Sequence, residues 1–142
     1  MFELSRRYIK TGFVFFVIGL AIGLFMIVDK HVFYRWPNTQ LITAHVHVLL
    51  IGFVVSLIMG VAIWMFPRPS PDTRYSPLLA EITYWLLTLG TSVRFAGEVI
   101  SSYHLSRAID TLIVTGSISQ ALAGVLFVYN MWSRVRPVGK QR

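Results

Sequence analysis

The sequence predicts an all-α, polytopic membrane protein built as a four-transmembrane-helix bundle. Three observations predict it. Four apolar runs, at approximately 12–28, 41–66, 78–100 and 109–132, are each long enough to cross a hydrocarbon core, which takes about 20 helical residues. The 142 residues are 55% hydrophobic and only 13% charged, with a mean hydropathy of +0.64, too few polar groups to clothe a soluble domain. The charges cluster between the runs, and the runs lack the period-two alternation of barrel strands.

The first run follows Arg6, Arg7 and Lys10. Ser5-Arg6-Arg7-Tyr8-Ile9-Lys10 partly resembles a twin-arginine export signal, yet no small-residue cleavage site follows, because the run ends Phe25-Met26-Ile27-Val28-Asp29-Lys30. The expectation is an uncleaved first helix with a basic anchor. Pro37-Asn38-Thr39 supplies a turn and a helix start before the second run. Pro67, Pro69, Pro71 and Pro77 break the helical pattern between the second and third. Tyr34, Trp36, Tyr75, Tyr103 and Trp132 fall where an interfacial aromatic belt lies.

Orientation is read from Lys and Arg in the flanks. Arg6, Arg7 and Lys10 precede the first run, Arg68 and Arg74 occupy the middle connection, and Arg134, Arg136, Lys140 and Arg142 follow the last. The other connections hold Lys30 and Arg35, and Arg107 alone. Both termini and the middle connection are therefore expected on the cytoplasmic side. Residues 1–142 form a single domain, since the connections leave no room for an extramembrane one. The expected location is a bacterial or archaeal cytoplasmic membrane. The net charge of +7 fits that bias, and no basic domain outside the bilayer points to nucleic acid. The absence of cysteine excludes disulfides, thiolate metal sites and thiol catalysis.

His45-Val46-His47 lies inside the second run. Ionisable side chains at membrane depth are expensive and mark functional sites. Two residues apart on a helix, these point about 200° apart, towards different neighbours. On an α-helical wheel Leu49, Gly52, Ser56, Met59, Gly60 and Ile63 share the face of His45, whereas Ile51, Val54, Ile58 and Met65 lie under His47. The small-residue stripe Gly52, Ser56, Gly60 suits close helix packing, or a slot for a flat macrocycle below an axial histidine.

Imidazole is a common axial haem ligand, and apolar helix bundles hold haem. A low-spin haem needs two axial ligands, but the first, third and fourth runs contain no histidine, and His31 and His104 fall in connections. Cyclic association removes the shortage: His45 of one chain and His47 of the next clamp one haem, and three chains use six histidines on three haems. The single-chain alternative pairs a histidine with Met26. Arg94 and Glu98, i and i+4 in the third run, read as a mutual ion pair, as a holder of a haem propionate through Arg94, or as both. Thr115, Ser119, Gln120 and Asn130 read as interhelical hydrogen-bonding groups.

The stretch Thr43-Ala44-His45-Val46-His47-Val48-Leu49-Leu50-Ile51-Gly52-Phe53, with Trp64-Met65-Phe66-Pro67-Arg68 after it, resembles a haem-ligand helix of the haem-copper oxidase superfamily. It is most similar to the large subunit of nitric oxide reductase and to C-type cytochrome c oxidases. Those subunits have twelve helices in three arcs of four, with haem ligands on the second helix of an arc. The resemblance implies that this chain is like one arc, that a homotrimer would imitate the whole, and that His45 and His47 are the paired iron ligands. No further histidines supply a copper or non-haem iron centre and no catalytic tyrosine position can be matched, so the superfamily's oxygen or nitric oxide reduction is not carried over.

The functional expectation is thus a haem b membrane cytochrome with bis-histidine haems at subunit interfaces. His45, His47, Arg94, Gly52 and Ser56 line its cofactor site, and its role is electron transfer to an unknown redox partner, or redox or gas sensing. One alternative leaves an axial position open, giving a nitric oxide or oxygen sensor or a minimal reductase. Another is a haem-free protein, binding copper or zinc through the histidines or serving in transport or assembly.

Overall fold

In the computed structural model, residues 2–67, 69 and 74–135 are described. Arg68, Pro71, Arg136, Lys140 and Arg142, used in the charge and turn arguments above, lie outside the described residues. The described residues form four helices: α1 (Phe2–Val32), α2 (Thr39–Met65), α3 (Pro77–Ser101) and α4 (Arg107–Trp132). No strand occurs among the described residues.

The starts of α2, α3 and α4 have a local cause. Asn38 sits extended before α2 and its side chain accepts from Gln40 N at 2.8 Å. Ser76 accepts from Leu79 N at 3.3 Å and Ser106 from Ala108 N at 3.3 Å, so α2, α3 and α4 all begin on side chains that satisfy orphan amides. Pro77, expected as a breaker, is the first residue of α3, where its missing N–H is no loss. Three helices, α1, α2 and α4, are long and apolar enough to cross a membrane by length and composition, which makes this a multi-pass membrane protein. The remaining helix, α3, carries Glu81, Arg94 and Glu98 and buries Thr83, Thr91 and Glu98 almost completely.

The middle of α2 departs from the α-helical wheel. It is α-helical over Thr39–His47, π-helical over Val48–Val55, and α-helical again over Ser56–Met65. Inside the π segment each amide reaches back five residues instead of four. Ser56 marks its end by donating to Ile51 O at 3.5 Å. Nothing in the apolar run from Val48 to Val55 announces the change.

The helices pack as a succession of neighbours, α1 on α2, α2 on α3 and α3 on α4, with the last pair the most extensive. Glycine sets how closely that pair approaches. A Cβ on Gly116 would stand 2.7 Å from Gly90 O and 2.8 Å from Arg94 N, both backbone atoms. Ser119 crosses the same interface to donate to Leu86 O at 2.8 Å.

At the end remote from the histidines, a core of Leu4, Tyr8, Met59, Ile63, Tyr84 and Met131 brings all four helices together. Arg7 forks onto Glu81 at 2.6 and 2.5 Å, and Thr11 bonds Tyr84 at 2.8 Å. Asn130 grips the Ser76 backbone at both N–H and C=O. Arg134, counted in the sequence as an interfacial charge, is only 1% exposed. Its guanidinium donates to Ile63 O, Phe66 O and Pro67 O at 2.8–3.0 Å. It thereby caps the carbonyl end of α2 and complements that helix's dipole.

Candidate functional site

His45 and His47 both lie in the first α-helical part of α2 and are half-buried. They leave the helix on opposite sides, as their spacing predicts. His45 turns to α1, where its Nδ1 meets Gly19 O at 3.0 Å. A carbonyl can only accept, so Nδ1 carries the hydrogen and Nε2 keeps its lone pair. An outer hydrogen bond from Nδ1–H to a backbone carbonyl is how metal-binding histidines are commonly oriented. Gly23 makes room for the ring: a Cβ there would stand 2.8 Å from His45 Cε1. The imidazole borders an open cleft of about 270 Å³, also lined by Gly23, Met26, Ile27, Lys30, His31 and Ile42. Met26, the single-chain alternative ligand, and His31, expected in a connection, thus share that cleft. His31 belongs to the last turn of α1, and His104 is exposed between α3 and α4.

His47 turns to α3 and enters a closed polar network. Its Nδ1 is 2.9 Å from Glu98 Oε1 and its Nε2 is 2.8 Å from an Arg94 terminal nitrogen. Arg94 Nε donates to the same Glu98 Oε1 at 2.9 Å, so the i, i+4 ion pair is formed. The other guanidinium arm donates to Gln120 Oε1 on α4 at 3.0 Å, and Gln120 Nε2 donates to Thr91 at 3.1 Å. Donor and acceptor roles agree around the chain. Arg94 can only donate, so His47 keeps a lone pair on Nε2, which puts its hydrogen on Nδ1 towards Glu98 Oε1. Glu98 is 1% exposed, and its Oε2 has no partner among the described residues. Three helices therefore converge on one buried charge pair.

Gly52 and Ser56, read from the wheel as flanking a cofactor, face α1. Phe15 stands against Gly52, where a Cβ would meet its ring at 2.8 Å. A Cβ on Gly12 of α1 would approach Ser56 Cβ at 3.6 Å and Phe53 O at 3.4 Å. Gly60 lies over Tyr8 and the Ser5 backbone, and Ser5 donates to Gly60 O at 2.6 Å. The stripe therefore packs against α1, which is one of the two uses that small-residue faces suggest.

Sequence reasoning placed Gln120 as an interhelical bonding group, and it is one, as are Ser119 and Asn130. Thr115 instead bonds its own helix at Thr111 O. The reasoning missed Gly19 and Gly23 beside His45, and Thr91 behind Gln120. Glycines in an apolar run give no sign of which neighbour they admit. Thr91 had a signal, lying three residues before Arg94 on one face of α3. Chemically, one side of α2 offers an oriented imidazole with a bare nitrogen beside a mainly apolar cleft. The other side offers a second imidazole inside an arginine–carboxylate pair.

Comparison with known proteins gives two matches. The family profile described as Cytochrome C and Quinol oxidase polypeptide I matches residues 7–112. The protein described as probable cytochrome c oxidase subunit 1-alpha of Streptomyces coelicolor is 31% identical over 101 residues, which is 66% of this chain and 17% of that relative. The chain thus spans about a sixth of the length of the curated relative it matches. No solved structure matches the chain.

Proposed function

We propose that this chain, which belongs to the cytochrome c and quinol oxidase polypeptide I family, is a haem b membrane cytochrome with bis-histidine haems held between copies of itself. The observation that carries the proposal is the His45 imidazole. Its Nδ1–H is fixed on Gly19 O, and the ring borders a cleft lined mostly by apolar side chains, which is the donor set and setting that haem iron takes. The bound haem would supply one-electron chemistry, and electron transfer or redox and gas sensing is the role proposed for it.

The chain's own residues define the rest. His45 faces α1 and His47 faces α3, so the two cannot grip one iron from the same helix. A second copy supplies the opposite ligand, and a closed ring of three leaves no histidine unused. Arg94, beside His47, is the guanidinium placed to hold a carboxylate of the cofactor. Gly52 and Ser56 act from behind, admitting α1 closely enough for Gly19 O to orient His45. Both termini face the cytoplasm in this reading, which puts the histidines near the outer surface of a bacterial or archaeal cytoplasmic membrane.

The optical spectrum tests it. Purified protein should show reduced haem b bands that vanish when His45→Ala and His47→Ala are combined. Bands that survive the double variant, or no haem band at all, contradict the proposal. A second reading, a five-coordinate haem that senses nitric oxide or oxygen, is favoured by one observation: Arg94 already bonds His47 Nε2. Carbon monoxide added to the reduced protein separates the two, since a rapid, large spectral shift needs an open axial position.

A further inference from the structure

We infer that Arg94 is a latch on His47, closed in the cofactor-free chain and opened by a carboxylate-bearing ligand but not by a bare metal ion. The inference rests on the haem reading and adds a specificity that reading does not contain. An iron ligand needs the lone pair on Nε2. That lone pair is engaged by Arg94 at 2.8 Å, while Nδ1–H is engaged by Glu98 at 2.9 Å. His45 differs, since its Nδ1 is held by a backbone carbonyl and no hydrogen bond to its Nε2 occurs among the described residues. One helix thus presents a ready ligand and a closed one.

The latch is held at several points. Arg94 Nε sits on Glu98 Oε1, and one terminal nitrogen sits on Gln120, itself anchored to Thr91. Its side chain is 19% exposed. To free His47, Arg94 must give up the charge-assisted bond of one terminal nitrogen, and a part-buried N–H left without an acceptor is costly. A carboxylate is the partner that offsets the loss, because it accepts two parallel N–H bonds from the planar fork. A metal cation without carboxylates brings a second positive charge to the same place and cannot. The network therefore selects for an acidic macrocycle, and the residue that holds the carboxylate is the one that uncovers the ligand.

Two measurements test the latch. In the cofactor-free chain in detergent, nitrogen NMR with labelled histidine should show His47 with hydrogen on Nδ1 and an accepting Nε2. The Nε2 signal should move towards that of a free lone pair in Arg94→Gln. Haem and haem dimethyl ester, whose carboxylates are blocked, are then added in parallel. Wild type should become six-coordinate with haem and stay largely five-coordinate with the ester, at least tenfold weaker in forming the second bond, the scale of one charge-assisted hydrogen bond. Arg94→Gln should erase the difference. Gln120→Leu, which loosens the guanidinium without removing it, should narrow the difference, keeping the test open if Arg94→Gln does not fold. Hydrogen on His47 Nε2, or equal six-coordination with both porphyrins in wild type, overturns the latch. Uptake of neither porphyrin overturns the haem reading and the release step together, while the nitrogen signals judge the closed state on their own.

Discussion

Replacing Gly116 by alanine separates α3 from α4 and dismantles the polar network without removing any of its polar groups. The added Cβ would stand 2.7 Å from Gly90 O and 2.8 Å from Arg94 N. Both are backbone atoms, so no rotamer change relieves them. Restoring contact to 3.4 Å moves one helix by about 0.7 Å. The Arg94–Gln120 bond, now 3.0 Å, then stretches to about 3.7 Å, beyond hydrogen-bonding range. Overpacking costs about 1–3 kcal/mol and a charge-assisted bond about 1.5–3 kcal/mol. Better helix propensity returns about 1 kcal/mol. The net loss should be about 1.5–5 kcal/mol. Gly124 on the same helix is the control, because a Cβ there meets nothing within 4 Å. Gly124→Ala should be neutral or more stable by up to about 1 kcal/mol. Reversible unfolding in mixed micelles measures both. If Gly116→Ala unfolds at the same denaturant fraction as Gly124→Ala, the close α3–α4 approach is wrong.

Other perturbations separate the two ends of the molecule. Gly23→Val pushes on His45 Cε1, the far end of a side chain, so the fold should hold within about 1 kcal/mol while haem retention falls at least about tenfold; unchanged retention would place the ligand elsewhere. Arg134→Met strips the buried donor from Ile63 O in α2 and from Phe66 O and Pro67 O just beyond it and should cost about 1–3 kcal/mol for each carbonyl left unsatisfied, with the absorbance of the remaining folded, haem-loaded protein unaltered. Ser119→Ala removes a single interhelical bond to Leu86 O. In micelle unfolding it should cost only about 0.6 kcal/mol, and a loss as large as that of Gly116→Ala would mean that the interface is held by hydrogen bonds and not by close approach.

Much of the architecture was legible because it rests on local physics. Apolar run length, Asn38 before Thr39, and prolines after Met65 mark helix limits without any tertiary information. Arg94 and Glu98 were legible as a pair because four residues on a helix bring side chains together. Their link to His47 was not, because it depends on how α2 and α3 are rotated against each other. The Gly52, Ser56, Gly60 stripe shows the difference: its smallness announces a close neighbour, but only packing reveals that the neighbour is α1, with Phe15 under Gly52. The π-helical Val48–Val55 segment left no trace among equally apolar side chains, yet the face drawn from His45 survives it, since Gly52, Ser56 and Gly60 still meet α1. Arg134 misled for the opposite reason. A basic residue beyond an apolar run looks like an interfacial charge, and only the nearby end of α2 makes it a buried cap.

The central claim is that His45 and His47 of one chain serve different haems and so join copies together. Native mass spectrometry of the haem-loaded protein, read with its haem-to-protein ratio, tests this most directly. The account predicts a trimer carrying one haem per chain, which loses haem and falls apart to monomers when His45 is replaced by alanine. A haem-loaded monomer with low-spin, six-coordinate iron would contradict it, because both axial ligands would then come from a single chain.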